Sequence, residues 1–282
     1  MPKGVRPVGE LLYTHGGAYV HPLVTAHWHI IGNLGLTTML RVTVPLYALA
    51  PEQTGDETYP KLHKLYDSLT ESGLPLITAG DSAGGALAMA LTIRARDEHR
   101  PLPGAVLLFS PYADATLTHP DIPVIEPRDP MLGSEGLRWA VRRWAGDRPL
   151  EHPWLSPVND NPRALPRISV FHGERDILCP DAKKMVAKAK AKAAGPEINL
   201  YPDVFHVFVG LPQLPESRAA LAHAGSRLPL KSTPVPVDGA PRRGAISLRI
   251  AKSGPRSSLA GALYYSVVLC SSTRYHVVPA QG

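Results

Sequence analysis

Leu76-Ile77-Thr78-Ala79-Gly80-Asp81-Ser82-Ala83-Gly84-Gly85 is the stretch that decides how this chain folds. Leu76–Ala79 is a short run of strand character, and Ala83–Glu98 after it reads as a helix. A strand that passes into a helix within four residues must turn sharply. A side chain on Gly80 or Gly84 would collide there with neighbouring backbone. Such a turn lifts the Ser82 hydroxyl above the carboxyl end of the strand, with helix amides behind it. A bare Gly-x-Ser-x-Gly also fits a small-residue turn in which Asp81 or Ser82 caps the helix. The strand before, the helix after and the third glycine, Gly85, favour the exposed nucleophile.

The same alternation extends outward on both sides. Strands are expected at Glu10–Thr14, Leu40–Val44, Ala105–Phe109, Ile168–Phe171 and Ile198–Tyr201. Helices are expected at Tyr59–Ser72 (capped by Thr58), Ser134–Ala145, Asp181–Ala194 and Gln213–Arg227. This rhythm predicts an α/β fold, a mostly parallel sheet with helices on both faces. Sheets of that kind bind ligands at the carboxyl ends of their strands.

Three further motifs fall at such ends. His15-Gly16-Gly17-Ala18 follows Glu10–Thr14, and its adjacent glycines let backbone amides approach a substrate oxygen. With the amide of Ala83, those of Gly16 and Gly17 are the expected oxyanion donors; a plain Gly-Gly turn is the alternative. Asp176 lies just past Ile168–Phe171, and His206 past Ile198–Tyr201 within Phe205-His206-Val207-Phe208. Alone, each reads as an ordinary cap or a packed histidine. Together with Ser82 they give the order Ser, Asp, His: a nucleophile, the acid that orients a base, and the base. Asp81 is expected to make structural hydrogen bonds, Asp181 to cap its helix and His15 to orient its loop. His21, His27 and His29 lack spaced Cys or carboxylate partners, so no metal is expected. Lys183, Lys184, Lys188, Lys190 and Lys192 read as a solvated helix face.

The chain has 282 residues, 44% of them apolar, enough to fill one large core. Its net charge of +6 sits in the tail, residues 229–282. That tail holds seven of the 30 bases and one of the 24 acids, which leaves 23 of each in residues 1–228. The body is neutral, so no nucleic-acid partner is expected. Five prolines between Pro229 and Pro255 break any long element. Residues 1–228 are therefore expected to form the domain, and 229–282 to be largely disordered or only loosely docked, without a catalytic residue, with Leu259–Cys270 as a candidate strand or short helix. Two cysteines, Cys179 and Cys270, and no secretory signal point to the cytoplasm. No apolar run reaches membrane-spanning length.

The motifs together resemble the hormone-sensitive-lipase-like esterase branch of the α/β hydrolases. The matching pieces are His15-Gly16-Gly17-Ala18-Tyr19, Tyr47-Ala48-Leu49-Ala50-Pro51-Glu52, Gly80–Gly85, Asp176-Ile177-Leu178 and Phe205–Phe208. The resemblance implies Ser82, Asp176 and His206 as a catalytic triad, Gly16, Gly17 and Ala83 as oxyanion amides, and no cofactor. It also implies that 129–145, with Trp139 and Trp144, covers an acyl pocket. Ala18 stands where many relatives have glycine, and Ala86 where asparagine is frequent. Relatives carry a helical cap and two further strands before the His-Gly-Gly loop; here about ten residues precede that strand, so the cap and first strands are expected to be missing. The function this implies is hydrolysis of a small carboxylic ester with a short or medium acyl chain. An amide or formamide hydrolase would use the same triad. A non-catalytic receptor on the same scaffold, as in plant gibberellin receptors, characteristically lacks the base that His206 supplies. An inactive fragment is the remaining alternative.

Overall fold

The computed structural model describes residues 7–191 and 195–229, and three strand stretches beyond them. Six strands form the parallel body of one sheet: β1 Glu10–Thr14, β2 Arg41–Leu46, β3 Leu76–Asp81, β4 Ala105–Phe109, β5 Arg167–Gly173 and β6 Glu197–Tyr201. Their order is β6-β5-β4-β3-β1-β2, every neighbouring pair parallel. The register sets Thr14 against Gly80, Asp81 against Phe109, Phe109 against Phe171 and Gly173 against Tyr201. The ends of β1, β3, β5 and β6 therefore reach one level, and the loops after them can meet.

Successive side chains of a strand point to opposite faces, and both faces of this sheet are covered. Leu11 and Tyr13 of β1, with Ala105, Leu107 and Phe109 of β4, pack against α1 (Thr25–Thr38) and α7 (Pro215–Ser226). Leu12 faces the other way, toward α2 (Gly55–Thr70), α3 (Ser82–Asp97) and the short α4 (Ile122–Ile125) and α5 (Ser134–Ala145). On that side Val106 and Leu108 meet α6 (Cys179–Lys190) through Met185 and Val186. Among the described residues no helix is long and apolar enough to cross a membrane.

The expected elements recur with shifted ends, and two helices, α1 and the single turn α4, were not expected. Helix α1 contains two glycines and several β-branched residues, and so has poor intrinsic helix propensity. Ile30, Ile31 and Leu34, fully buried against the sheet, hold it in place. Helix α2 starts earlier than expected, at Gly55. Thr54 is its cap, with the Thr54 amide donating to Glu57 Oε2 at 2.7 Å. Thr58, the expected cap, is buried one turn in.

Beyond residue 229 the sheet continues at its β2 edge. β7 (Leu248–Lys252) pairs parallel to β2, from Val42↔Leu248 to Leu46↔Lys252. β8 (Tyr264–Leu269) and β9 (Tyr275–Pro279) follow antiparallel. The expectation of a largely disordered or loosely docked tail made no provision for these pairings. An open strand edge offers unpaired N–H and C=O groups that any extended backbone can satisfy; composition does not reveal that pairing. Residues 230–247, 253–263, 270–274 and 280–282 lie outside the described residues, as does that part of the expectation.

Candidate active site

The turn between β3 and α3 is as tight as its glycines require. A Cβ on Gly84 would fall on the backbone of Thr14 and His15, and one on Gly80 on the Gly84 carbonyl. Ser82 sits at φ +51°, a left-handed conformation that costs a non-glycine residue of order 1 kcal/mol or more. Neighbouring elements hold it there. Thr14 Oγ1 donates to the carbonyls of Gly84 (2.7 Å) and Ala79 (3.2 Å), and the Tyr112 amide donates to the Ser82 carbonyl (2.9 Å). The Ala83 amide lies in the first turn of α3, where amides have no acceptor within the helix.

The loop after β1 is clamped onto this elbow by Asp81. Its buried carboxylate accepts from Tyr13 Oη (2.6 Å) and the Gly16 amide (3.0 Å) on Oδ1, and faces His27 Nε2 at 3.3 Å on Oδ2. The Val24 amide donates to His27 Nδ1 (2.9 Å), so the ring carries its proton on Nε2, toward Asp81. Asp81 is thus the structural hydrogen-bonding residue the sequence suggested, but its reach is wider. The Gly16 amide, expected as an oxyanion donor, is directed here at the buried Asp81 carboxylate. Gly17, at φ +114°, turns the chain back over the elbow, with the amides of Val20 and His21 donating to its carbonyl. His15 orients the loop as expected: its ring stacks on Tyr47 at 4.4 Å and Nδ1 donates to the Gly16 carbonyl at 2.7 Å. Burial lowers its pKa to about 4, so it stays neutral.

His206 and Asp176 meet across the ends of β6 and β5. His206 Nδ1 donates to Asp176 Oδ2 at 2.7 Å, and the Leu178 amide donates to Asp176 Oδ1 at 2.9 Å. The Val207 amide donates to Ser110 Oγ (3.1 Å), fixing the loop just past the imidazole. Buried His172 on β5 approaches the same carboxylate oxygen at 3.5 Å. Burial alone would raise the Asp176 pKa, but His206 and His172 outweigh it and hold it below the usual value. Burial likewise disfavours the His206 imidazolium, yet Asp176 more than compensates and its pKa lies above the ordinary 6.5. Ser82 and His206 line one cavity of about 890 Å³, whose walls also include Gly17, Leu132, Leu137 and Trp139. Trp144, expected to cover the pocket, is instead buried in the core, stacked on Tyr19 at 4.8 Å.

The α/β-hydrolase fold family matches residues 11–210. The chain belongs to that family. Within the α/β hydrolases it falls in the hormone-sensitive-lipase-like esterase branch. It is 32% identical to an acetyl-hydrolase of Streptomyces hygroscopicus over 79% of this chain and 78% of that one. It is 29% identical to an esterase of Acinetobacter venetianus over 75% of this chain and 72% of that one. A solved esterase of the bacterial hormone-sensitive lipase family superposes with a TM-score of 0.75. It has 28% identity to this chain and covers 79% of this chain and 77% of its own.

Other polar side chains of this α/β hydrolase have different roles from those the sequence suggested. Asp181 does not cap α6: both carboxylate oxygens are buried without a hydrogen-bond partner. Burial and the nearby Asp114 push its pKa to about 7, against an ordinary 3.8. The folded protein therefore keeps a proton that the unfolded chain releases. Stability must fall as pH rises between those two values, by up to about 1.4 kcal/mol per pH unit. Asp181→Asn removes the ionisation. Its melting temperature is expected to exceed that of the parent at pH 8 and to converge on it toward pH 4. A difference that does not change with pH would contradict this account. Among the described residues no group of three or more His, Cys, Asp or Glu is placed to hold a metal. Tyr13 and His27 gave no signal of this role in the sequence, because each acts on a carboxylate more than fifty residues away; His172 lies four residues from Asp176, but its burial beside that carboxylate depends on the fold.

Proposed function

We propose that this α/β hydrolase, a carboxylic-ester hydrolase by its family, cleaves esters of short or medium acyl chains through a Ser82–His206–Asp176 triad and an acyl-enzyme. One observation carries the reading: a 2.7 Å His206–Asp176 pair opens onto the same cavity as a serine held on a strained strand-to-helix elbow. With Nδ1 donating to Asp176, neutral His206 leaves Nε2 free to take a proton. Ser82 Oγ attacks the ester carbonyl carbon as its proton passes to Nε2. The carbonyl oxygen becomes an oxyanion, for which the amides of Gly17 and Ala83 are the donors. Gly16 holds the loop through Asp81. When the tetrahedral adduct collapses, Nε2 returns the proton to the departing alkoxide and the acyl group remains on Ser82. A water molecule then repeats the sequence, releasing the acid and restoring the serine. The apolar cavity walls suit a neutral hydrocarbon acyl chain. Every group in this scheme precedes residue 229, and we take residues 1–228 as the catalytic domain.

A fluorophosphonate probe is expected to label the protein on Ser82 and to block hydrolysis of p-nitrophenyl butyrate; Ser82→Ala should abolish both. Labelling that persists in Ser82→Ala would move the nucleophile elsewhere. Because activity needs neutral His206, whose pKa is raised, kcat/KM should fall with decreasing pH along a limb centred above about 6.5. A limb centred below that value would mean that Asp176 does not stabilise the imidazolium.

A further inference from the structure

One carboxylate ties the cavity wall to the turn that carries Asp176. Asp129 follows the single helical turn Glu126–Arg128. Its Oδ1 accepts from the amides of Met131 (2.9 Å) and Leu132 (3.0 Å), and its Oδ2 from the amide of Ile177 (3.0 Å). The first two bonds form a side-chain-closed turn that fixes where Met131 and Leu132 stand, and both line the cavity. The third reaches the residue directly after Asp176. Arg175 adds a parallel tie, its Nη2 donating to the Arg128 carbonyl at 3.0 Å. Glu126 anchors the other end of the wall, accepting from the Ser134 amide at the start of α5 (2.6 Å).

We propose that Asp129 is a positioning residue that couples acyl selectivity to the His206–Asp176 pair, setting the wall against the substrate chain and the acid against the base. The inference rests on the Ser82 triad reading. The titratable groups that face His206 are Asp176 and His172 from β5 and its turn, Asp81 from the elbow, and Asp129. Of these, Asp129 holds Met131 and Leu132 of the cavity wall through its own hydrogen bonds, so altering it moves two readouts that a merely structural residue would leave alone.

Asp129→Asn keeps an oxygen to close the turn but loses the negative charge and the acceptor for Ile177. Asp129→Ala loses the turn as well. With p-nitrophenyl acetate and octanoate as substrates, Asp129→Asn is expected to move the acid limb of kcat/KM to lower pH and to lower kcat. Its acetate-to-octanoate ratio should stay near the parent value. Asp129→Ala should show the same shift in the limb and change the ratio by roughly tenfold. An unmoved acid limb in Asp129→Asn overturns the proposal, and that variant decides the matter if Asp129→Ala fails to fold. An equal loss on both esters in a folded Asp129→Ala also overturns it. Probe labelling of the parent, and its loss in Ser82→Ala, keep this test separate from the triad: if those controls fail, the triad has failed; if they hold, only the coupling is at stake.

Discussion

Ser82→Ala, His206→Ala and the double variant are each expected to lose nearly all esterase activity, by about 10⁴–10⁶-fold in kcat, with the double no worse than the worse single. Under the proposed mechanism the loss is shared because the two side chains perform one proton-coupled step. Without the imidazole, Ser82 is an ordinary alcohol that leaves its proton in place; without Ser82, the imidazole has nothing to activate. What survives in all three is the binding cavity and the Gly17 and Ala83 amides, and that remainder should be equal among them. Asp176→Asn should fall less, by about 10⁴-fold. It spares both reacting groups but loses the charge that pairs with the imidazolium at 2.7 Å. Steady-state rates on p-nitrophenyl butyrate, corrected for folded protein, check this. A double variant far below the worse single, approaching the product of the two separate losses, would show that Ser82 and His206 act independently.

What the sequence made legible was local. The strand-to-helix passage at Leu76–Gly85 fixes its own geometry within ten residues, and β4 and α5 lie where their apolar patterns put them. Helix α1 was illegible because its stability comes from Ile30, Ile31 and Leu34 packing on the sheet rather than from its own propensities. The partners of Asp81 were illegible for a related reason. Tyr13, Gly16 and His27 lie more than fifty residues before it, and no spacing rule brings them together. The glycine motif at Gly16–Gly17 showed that backbone could come close to something. It could not show that one of its amides would face the protein's own carboxylate, Asp81. Asp181 is the converse case: its place near the start of α6 suggested a cap, while its burial beside Asp114 depends on a loop nearly seventy residues earlier. The β2 edge adds a third kind of case, where pairing through backbone leaves little trace in side-chain pattern.

Gly84→Ala tests the elbow at its tightest contact and sets two opposing effects against each other. Gly84 lies within α3, so alanine there should gain up to about 1 kcal/mol of helix propensity. The added Cβ, however, meets the Thr14 carbonyl and the His15 backbone. These are backbone atoms at the end of β1, paired in register with β3, and they cannot swing aside as a flexible side chain would. Relief requires that the His15–Gly17 loop move away from the helix. That movement breaks the 2.7 Å bond from Thr14 Oγ1 to Gly84 and carries the Gly17 amide off its position. Overpacking of this kind costs about 1–3 kcal/mol or more, which exceeds the propensity gain. A displacement of about 1 Å at a reacting centre costs on the order of 100-fold in rate. The melting temperature should therefore drop by several degrees and kcat by about two orders of magnitude. Gly136→Ala in α5 is the matched control: a Cβ there meets nothing within 4 Å, so only the propensity gain remains and the melting temperature should hold or rise slightly. If Gly84→Ala matched Gly136→Ala in both stability and rate, β1 and α3 would not be in contact at the elbow, and the placement of the Gly17 and Ala83 amides around Ser82 would fall with it.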